Sequence, residues 1–194
     1  MTTLVRTADV VPQPWRNGGG RTRELLAWPA APADWRVRIS VAEIEADDPF
    51  SAFPGVRRWF AVLKGAGVEL TIDGAPWRLT RNDAPISFDG AAPTACRLLD
   101  GPTLDLNLML RNAPGRMLAA ADGVEWLPTL AQCGLYTAVA GRCLDAGDTI
   151  DVPAHALLWF ERAPRKLRFE AAQRPAVATA WWLEAVEPAS EMSR

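Results

Sequence analysis

The chain has 194 residues, of which 49% are hydrophobic, and its formal net charge at pH 7 is -2. This length and apolar content suffice for one large domain or for two small domains that share a core. The near-neutral charge gives no bulk attraction to nucleic acid or to acidic membranes. No apolar run approaches the ~18 residues of a membrane span, and the first residues lack the apolar core of a signal peptide. We therefore expect a cytoplasmic protein with no nucleic-acid or membrane partner.

The segment 14–24 contains three consecutive glycines, at positions 18–20. Glycine adopts turns that other residues avoid and leaves its backbone N–H groups accessible. Asn17 adds an amide, and Arg21 and Arg23 add guanidinium groups, which bind anions through paired N–H donors. The segment predicts a loop that receives a small anion, with an ordinary surface turn as the alternative. The sequence lacks the GxxxxGK[ST] pattern of a nucleotide-binding loop.

A series of short strands follows, separated by glycine and proline at the spacing of a sandwich or barrel. The segment 35–42 alternates strictly and places Arg38 and Ser40 on the face opposite its tryptophan, valines and isoleucine. The other strands of the first half are predicted at 59–63, 68–72, 77–79, 86–88, 95–99 and 104–110. Those of the second half are predicted at 135–140, 149–152, 157–160, 167–169 and 177–183, with short helices near 118–121 or 129–133. The pattern predicts an all-β protein of two similar stacked units.

The loop 47–58 joins two of these strands and is stiffened by two prolines and two phenylalanines. It delivers Arg58 to the start of the next strand. An arginine there is either a surface cation, as most arginines are, or a guanidinium that clamps a carboxylate at the mouth of a barrel.

The segment 103–110 has the clearest period of two in the chain. Its leucines form one face, and Thr103, Asp105, Asn107 and Met109 form the other. A half-exposed strand with its polar side in water would explain the polar residues, but Met109 is out of place there. The mixed face therefore favours the wall of a cavity that fixes a ligand.

Histidine and cysteine usage argues against a metal or disulfide site. His155 is the only histidine and is expected to be structural, whereas transition-metal sites usually combine two or three histidines with a carboxylate. Cys96, Cys133 and Cys143 are odd in number and lack CxxC spacing, which predicts buried reduced thiols. We therefore expect no cofactor and no bound metal.

Eight short motifs occur in order through about the first 110 residues. They are Trp15-Arg-Asn-Gly-Gly-Gly20, Thr22-Arg-Glu24, Arg38-Ile-Ser-Val-Ala42, Pro49-Phe-Ser51, Phe53-Pro-Gly55, Arg58, Phe88-Asp-Gly90 and Asp105-Leu-Asn-Leu-Met109. In this order they resemble the HutD/Ves family, and the β-rich second half is compatible with it. The family often has an acidic residue directly before the arginine at position 58, where this chain has Arg57.

The resemblance implies an all-β bicupin fold, with two cupin-like barrels in one chain and without the usual metal-ligand histidines. On this basis residues 1–112 form the first half with the ligand pocket, 113–187 form the second half, and 188–194 form a frayed tail. The resemblance also implies a regulator linked to histidine utilisation that senses a small carboxylate of the formylglutamate, formate or urocanate type. The chain is also a candidate for homodimer formation.

The predicted ligand-binding residues come from several of these segments. They are Trp15, Asn17, Thr22, Arg23, Arg38, Ser40, Arg58, Asp105, Asn107 and Met109. One of the three arginines would pair with the ligand carboxylate, while the asparagines and the serine would hydrogen-bond its polar end. The alternatives are a metal-independent enzyme for a small acid, with Asp105 or Glu24 as general base, and a structural interaction module without a cavity.

Overall fold

The computed structural model describes residues 1–30, 35–145, 147–173 and 177–185. Within these ranges the chain forms nineteen β-strands and one turn of 3-10 helix at Thr7–Asp9, and it contains no α-helix. The all-β prediction is therefore confirmed. The short helices expected near 118–121 and 129–133 are wrong, because strands occupy or enter both segments. No helix in the described ranges is long and apolar enough to cross a membrane.

The strands are short and follow one another closely. Those of the first half are β1 (Thr2–Arg6), β2 (Gln13–Pro14), β3 (Gly20–Trp28), β4 (Val37–Ile44), β5 (Asp48–Pro49), β6 (Val56–Lys64), β7 (Val68–Ile72), β8 (Ala75–Leu79), β9 (Ile86–Asp89), β10 (Thr94–Leu98) and β11 (Thr103–Arg111). Those of the second half are β12 (Gly115–Ala119), β13 (Glu125–Trp126), β14 (Gln132–Thr137), β15 (Gly141–Asp145), β16 (Asp148–Val152), β17 (Ala156–Phe160), β18 (Leu167–Ala171) and β19 (Ala180–Ala185).

The strands form four sheets. Sheet 1 has the order β2-β3-β4-β11-β6-β9, and sheet 2 has the order β5-β10-β7-β8. Sheet 3 has the order β1-β17-β14-β19-β12, and sheet 4 has the order β13-β18-β15-β16. Among the residues that the structure describes, none of the four sheets closes on itself. The two barrels expected from the bicupin resemblance therefore stay a prediction.

Three apolar cores hold the sheets in the layer order 2-1-3-4. Sheets 1 and 3 pack face to face, with Leu106 and Leu108 of β11 against Trp159 and Leu183. The opposite face of sheet 1 packs on sheet 2, and the opposite face of sheet 3 packs on sheet 4. Strand β11 lies between β4 and β6, and it contributes leucines to the core between sheets 1 and 3 and Met109 to a separate small cluster with Trp35 and Val56.

The first strand crosses between the halves. β1 pairs antiparallel with β17, from Thr2 opposite Phe160 to Arg6 opposite Ala156, and thereby forms one edge of sheet 3. A strand from the segment assigned to the first half, 1–112, thus completes a sheet of the second. The expected frayed tail, 188–194, lies outside the described residues.

The second half is filled by large side chains. Trp126 stacks on Trp182 with ring centroids 4.5 Å apart and planes 8° from parallel. Cys133 and Cys143 are buried free thiols in the same core, and Cys96 is a buried free thiol in the core between sheets 1 and 2. Burial raises the pKa of the Cys96 and Cys143 thiols to about 12, which keeps them protonated and unreactive at neutral pH.

Replacing Gly134 with alanine should lower the free energy of unfolding by about 1–3 kcal/mol. Gly134 lies on β14, and an added Cβ would come within 2.6 Å of Cε3 of Trp159 and 2.9 Å of the Leu158 carbonyl oxygen. Urea denaturation provides the measurement. Gly19→Ala is the matched control, because its Cβ would come no closer than 3.2 Å to its nearest neighbours, Cβ and Oδ2 of Asp48, so that a shift of a few tenths of an ångström relieves the contact. Equal stability of the two variants would contradict the close packing of β14 on Trp159.

Candidate functional site

A cavity of about 370 Å³ lies on the face of sheet 1 that is turned away from sheet 3. Three adjacent strands form its wall, and their register places side chains in cross-strand rows. One row contains Arg38 of β4, Met109 of β11 and Arg58 of β6. The next row contains Ser40, Asn107 and Phe60 in the same strand order. Because paired residues of adjacent strands share a face, both rows line the cavity.

Arg58 is the most deeply placed cation of this wall, with only 6% of its surface exposed. Its Nη2 donates a hydrogen bond to Oδ1 of Asn107 at 3.2 Å, whereas its Nε has no partner among the described residues. No carboxylate of the described residues lies within ion-pair distance of it. Desolvation and, secondly, the charge of Arg38 lower the pKa of Arg58 to about 10. It is therefore still a cation at neutral pH, without a counter-ion from the described chain.

Three phenylalanines surround this guanidinium. Its Cζ lies 4.8 Å from the ring centroid of Phe50, 5.2 Å from that of Phe88 and 5.9 Å from that of Phe53. Ring faces attract cations and exclude water, so they stabilise the charge in part and fix the orientation of the fork. No motif of the sequence predicts this cage. Its one signal was the aromatic loop 47–58, which was interpreted as a stiff connection.

Gly90 allows the loop 47–58 to pack close to Arg58. The N–H of Gly90 donates to the Val56 carbonyl at 2.7 Å, and its carbonyl accepts from the N–H of Phe53 at 2.7 Å. An added Cβ at Gly90 would lie 2.7 Å from the Phe53 carbonyl oxygen and 2.8 Å from that of Val56. Only glycine therefore permits this close approach, which carries Phe53 to the cavity.

Position 57, where the family often has an acidic residue and this chain has Arg57, does not face Arg58. It is exposed and follows Val56, which is buried beside Met109 on the cavity side of β6. Alternation along β6 therefore directs Arg57 away from the cavity. An acidic residue at this position would not contact the guanidinium of Arg58.

Arg38 differs from Arg58 because it has a carboxylate partner. Its Nε donates to Oε2 of Glu24 at 2.6 Å, and its Nη1 lies 3.9 Å from the sulfur of Met109. The side chain of Arg38 is 19% exposed and that of Glu24 is 38% exposed. Arg38 lines the cavity, whereas Glu24 stands beside it without lining it.

The glycine segment closes one side of the cavity with side chains. Trp15 and Asn17 line the cavity, and the indole N–H of Trp15 donates to Oγ1 of Thr22 at 2.7 Å. The expectation that free backbone N–H groups receive the anion is not met at two positions, because the N–H of Gly18 donates to the Trp15 carbonyl and that of Gly19 to the Asn17 side chain. Gly20 serves close packing instead, since a Cβ there would lie 2.3 Å from the Glu43 carbonyl oxygen.

The structure brings eight of the ten predicted site residues to this cavity. They are Trp15, Asn17, Thr22, Arg38, Ser40, Arg58, Asn107 and Met109. Arg23 does not line it, because Arg23 lies on the opposite face of β3 from Thr22 and forms an ion pair with Glu43. Asp105 does not line it either, although it shares a face with Asn107, because it lies one row deeper between Ala42 and Val62 and is fully buried.

No aspartate or glutamate is among the described residues that line the cavity, whereas Arg16, Arg38 and Arg58 are. No group of three or more histidine, cysteine, aspartate or glutamate side chains is placed to hold a metal within the described ranges. His155 lies far from the cavity wall in the sequence, and its Nδ1 lies 3.5 Å from the hydroxyl of Tyr136. The cavity is therefore cationic and partly aromatic.

A model of the HutD family matches residues 7–178, which is most of the chain. The chain belongs to the HutD family. This confirms the resemblance drawn from the eight motifs.

Individual relatives agree with this assignment. An uncharacterized 21.2 kDa protein in the hutC 3′ region of Pseudomonas putida is 38% identical over 145 residues, which cover 72% of this chain and 74% of that protein. Protein Ves of Cronobacter sakazakii is 30% identical over 148 residues, which cover 76% of this chain and 81% of Ves. HutD from Pseudomonas fluorescens, solved in a formate condition, has a TM-score of 0.82 at 24% identity, covering 97% of this chain and 100% of that one. The last likeness shows a shared fold.

In this HutD-family chain, Asp105 is a buried acid with an incomplete hydrogen-bond set. Oγ1 of Thr103 donates to its Oδ2 at 2.6 Å, while Oδ1 has no partner among the described residues. Burial raises the pKa of Asp105 from 3.8 to about 8, and the hydrogen bond from Thr103 opposes this shift only in part. At neutral pH the side chain is therefore mostly protonated and uncharged.

Asp105 should make the stability of the protein fall with rising pH. Between the ordinary pKa of 3.8 and about 8 the folded protein keeps the proton that the unfolded chain has lost. Folding is then opposed by about 1.4 kcal/mol for each pH unit across this window. The amide of the Asp105→Asn variant does not titrate, so its unfolding free energy does not fall in this way. The unfolding free energy of the variant minus that of the wild type should therefore increase from pH 5 to pH 7. A difference that stays constant with pH would contradict the raised pKa.

Proposed function

We propose that this protein binds a small carboxylate in the cavity of sheet 1 and acts as an accessory or regulatory protein of histidine utilisation. The observation that carries the proposal is the buried, aromatic-caged Arg58, a cation without a carboxylate among the described residues. A guanidinium fork matches a carboxylate in shape, and each charge-assisted hydrogen bond contributes about 1.5–3 kcal/mol.

The buried charge of Arg58 favours a bound external anion over an empty cavity. Burying a cation without a partner is costly, and the cost is recovered when an opposite charge binds. Arg58 is already held by Asn107 and by the rings, so little side-chain entropy is lost on binding. Asn17 and Ser40 stand on the same cavity and supply hydrogen-bonding groups for the remainder of the ligand.

The proposed ligand is of the formylglutamate, formate or urocanate type. Support comes from the Pseudomonas putida relative, whose name places it in a hutC region, and from the Pseudomonas fluorescens HutD solved in a formate condition. We also propose that each half is a cupin-like unit, that the protein acts in the cytoplasm as a monomer or homodimer, and that it needs no metal. The packing of one large and one small sheet in each half supports the cupin-like units.

The enzyme alternative gains no support from this geometry. Of its two candidate general bases, Asp105 does not line the cavity and Glu24 is engaged by Arg38. A binding site explains the same residues without a reacting group.

Isothermal titration calorimetry with formate, N-formylglutamate and urocanate tests the proposal. At least one of these should bind the wild-type protein with a stoichiometry of one per chain. Arg58→Gln should weaken that binding by about 10- to 100-fold, because it removes the buried charge and the fork.

Arg23→Gln is the matched control, because it makes the same substitution on the opposite face of sheet 1. It should leave the affinity within about twofold of wild type, provided that thermal denaturation shows a folded protein. A folded wild type that binds none of the three compounds would contradict the proposed function.

A further inference from the structure

The two arginines in the cavity wall differ in their charge balance. Arg38 is paired with Glu24 through a 2.6 Å contact between Nε and Oε2. Arg58 has no ion pair among the described residues and is held by Asn107 and three aromatic rings. The third arginine of the lining, Arg16, is exposed, where water and salt screen its charge. Within the described ranges, the interior of the cavity therefore presents one uncompensated positive charge, that of Arg58.

Glu24 reaches Arg38 from the neighbouring strand. It lies opposite Ser40 across the β3–β4 pair, in the same cross-strand row as Asn107. The strand pairing shifts between Glu24 and Leu26. The carboxylate thus approaches Arg38 from beside the cavity, and no acidic side chain of the described residues lines the cavity interior.

We propose that Glu24 is a specificity-determining residue, which neutralises Arg38 so that the cavity accepts ligands with one carboxylate and discriminates against those with two. This inference rests on the proposed carboxylate-binding function, and among the ligand types proposed there it favours formate and urocanate, with one carboxylate, over N-formylglutamate, with two. The first carboxylate pairs with Arg58. A second carboxylate in the interior of the cavity, away from the exposed Arg16, would be removed from water without a free cation of the described residues to receive it. The remaining wall there includes Ile44, Phe50, Phe60 and Met109.

Two isosteric pairs of compounds separate the effect of charge from that of shape. Succinamate and succinate differ by the exchange of one carboxylate for a carboxamide, and so do N-formylglutamine and N-formylglutamate. Calorimetry at neutral pH should show that the wild type binds the singly charged member of a pair more tightly. In Glu24→Gln the ratio of the two affinities should shift by about tenfold or more toward the doubly charged member, because Arg38 is then free.

Glu69→Gln is the matched control. Glu69 forms an exposed ion pair with Arg97 at 3.1 Å in sheet 2, and neither residue lines the cavity. The substitution changes the net charge of the protein by the same amount, and it should leave the ratio of affinities unchanged.

A second pair of variants tests the inference without depending on the folding of Glu24→Gln. Arg38→Gln leaves Glu24 uncompensated next to the cavity and should weaken binding of the singly charged compound. Adding Glu24→Gln to Arg38→Gln should restore a large part of that loss, because the repelling carboxylate is removed.

The outcomes distinguish the two proposals. A wild type that binds no carboxylate overturns the proposed function and this inference with it. A wild type that binds a carboxylate, with a ratio that Glu24→Gln does not change and no recovery in the double variant, overturns the role of Glu24 alone. A shift of the ratio in Glu24→Gln that Glu69→Gln does not produce supports it.

Discussion

Strand β11 has to satisfy two different environments at once, and the rest of the structure depends on that constraint. Its leucines fill the core between sheets 1 and 3, while Asp105, Asn107 and Met109 face toward sheet 2. Because side chains alternate along a strand, a shift of one residue in its pairing with β4 or β6 would exchange the two sets. The apolar core on one side therefore fixes the register that brings Arg38 and Arg58 together on the other.

The two halves use similar sheets in different ways. In the second half, Trp182 and Trp126 stack face to face inside the core between sheets 3 and 4. In the first half, Asn107 and Met109 of β11 instead line a cavity. The apolar faces of sheets 1 and 3 cover each other. The second half, whose core is filled, therefore supports the first half, which contains the cavity.

The parts of this structure that follow from strict alternation were predictable from sequence. Arg38 and Asn107 were expected on one cavity wall, and antiparallel pairing of β4 with β11 places them there. Arg23 was expected at the cavity but lies on the opposite face of β3. The sequence does not reveal which face of β3 meets the cavity, because polar residues stand on both faces at the start of this strand. Asp105 was placed on the correct face, but its depth depends on how far sheet 2 covers β11. The cage around Arg58 depends on loop packing, which no period in the sequence encodes.

The pairing of β1 with β17 has a consequence for how this chain is made. On a ribosome the residues of β1 are synthesised well before those of β17, so β1 has no partner until most of the other strands have been made. Sheet 3 gains this edge strand only after β17 has been synthesised, and long-range pairings of this kind slow folding. The fold is thus completed by joining its earliest strand to one of its latest, which ties the two halves into one assembly event.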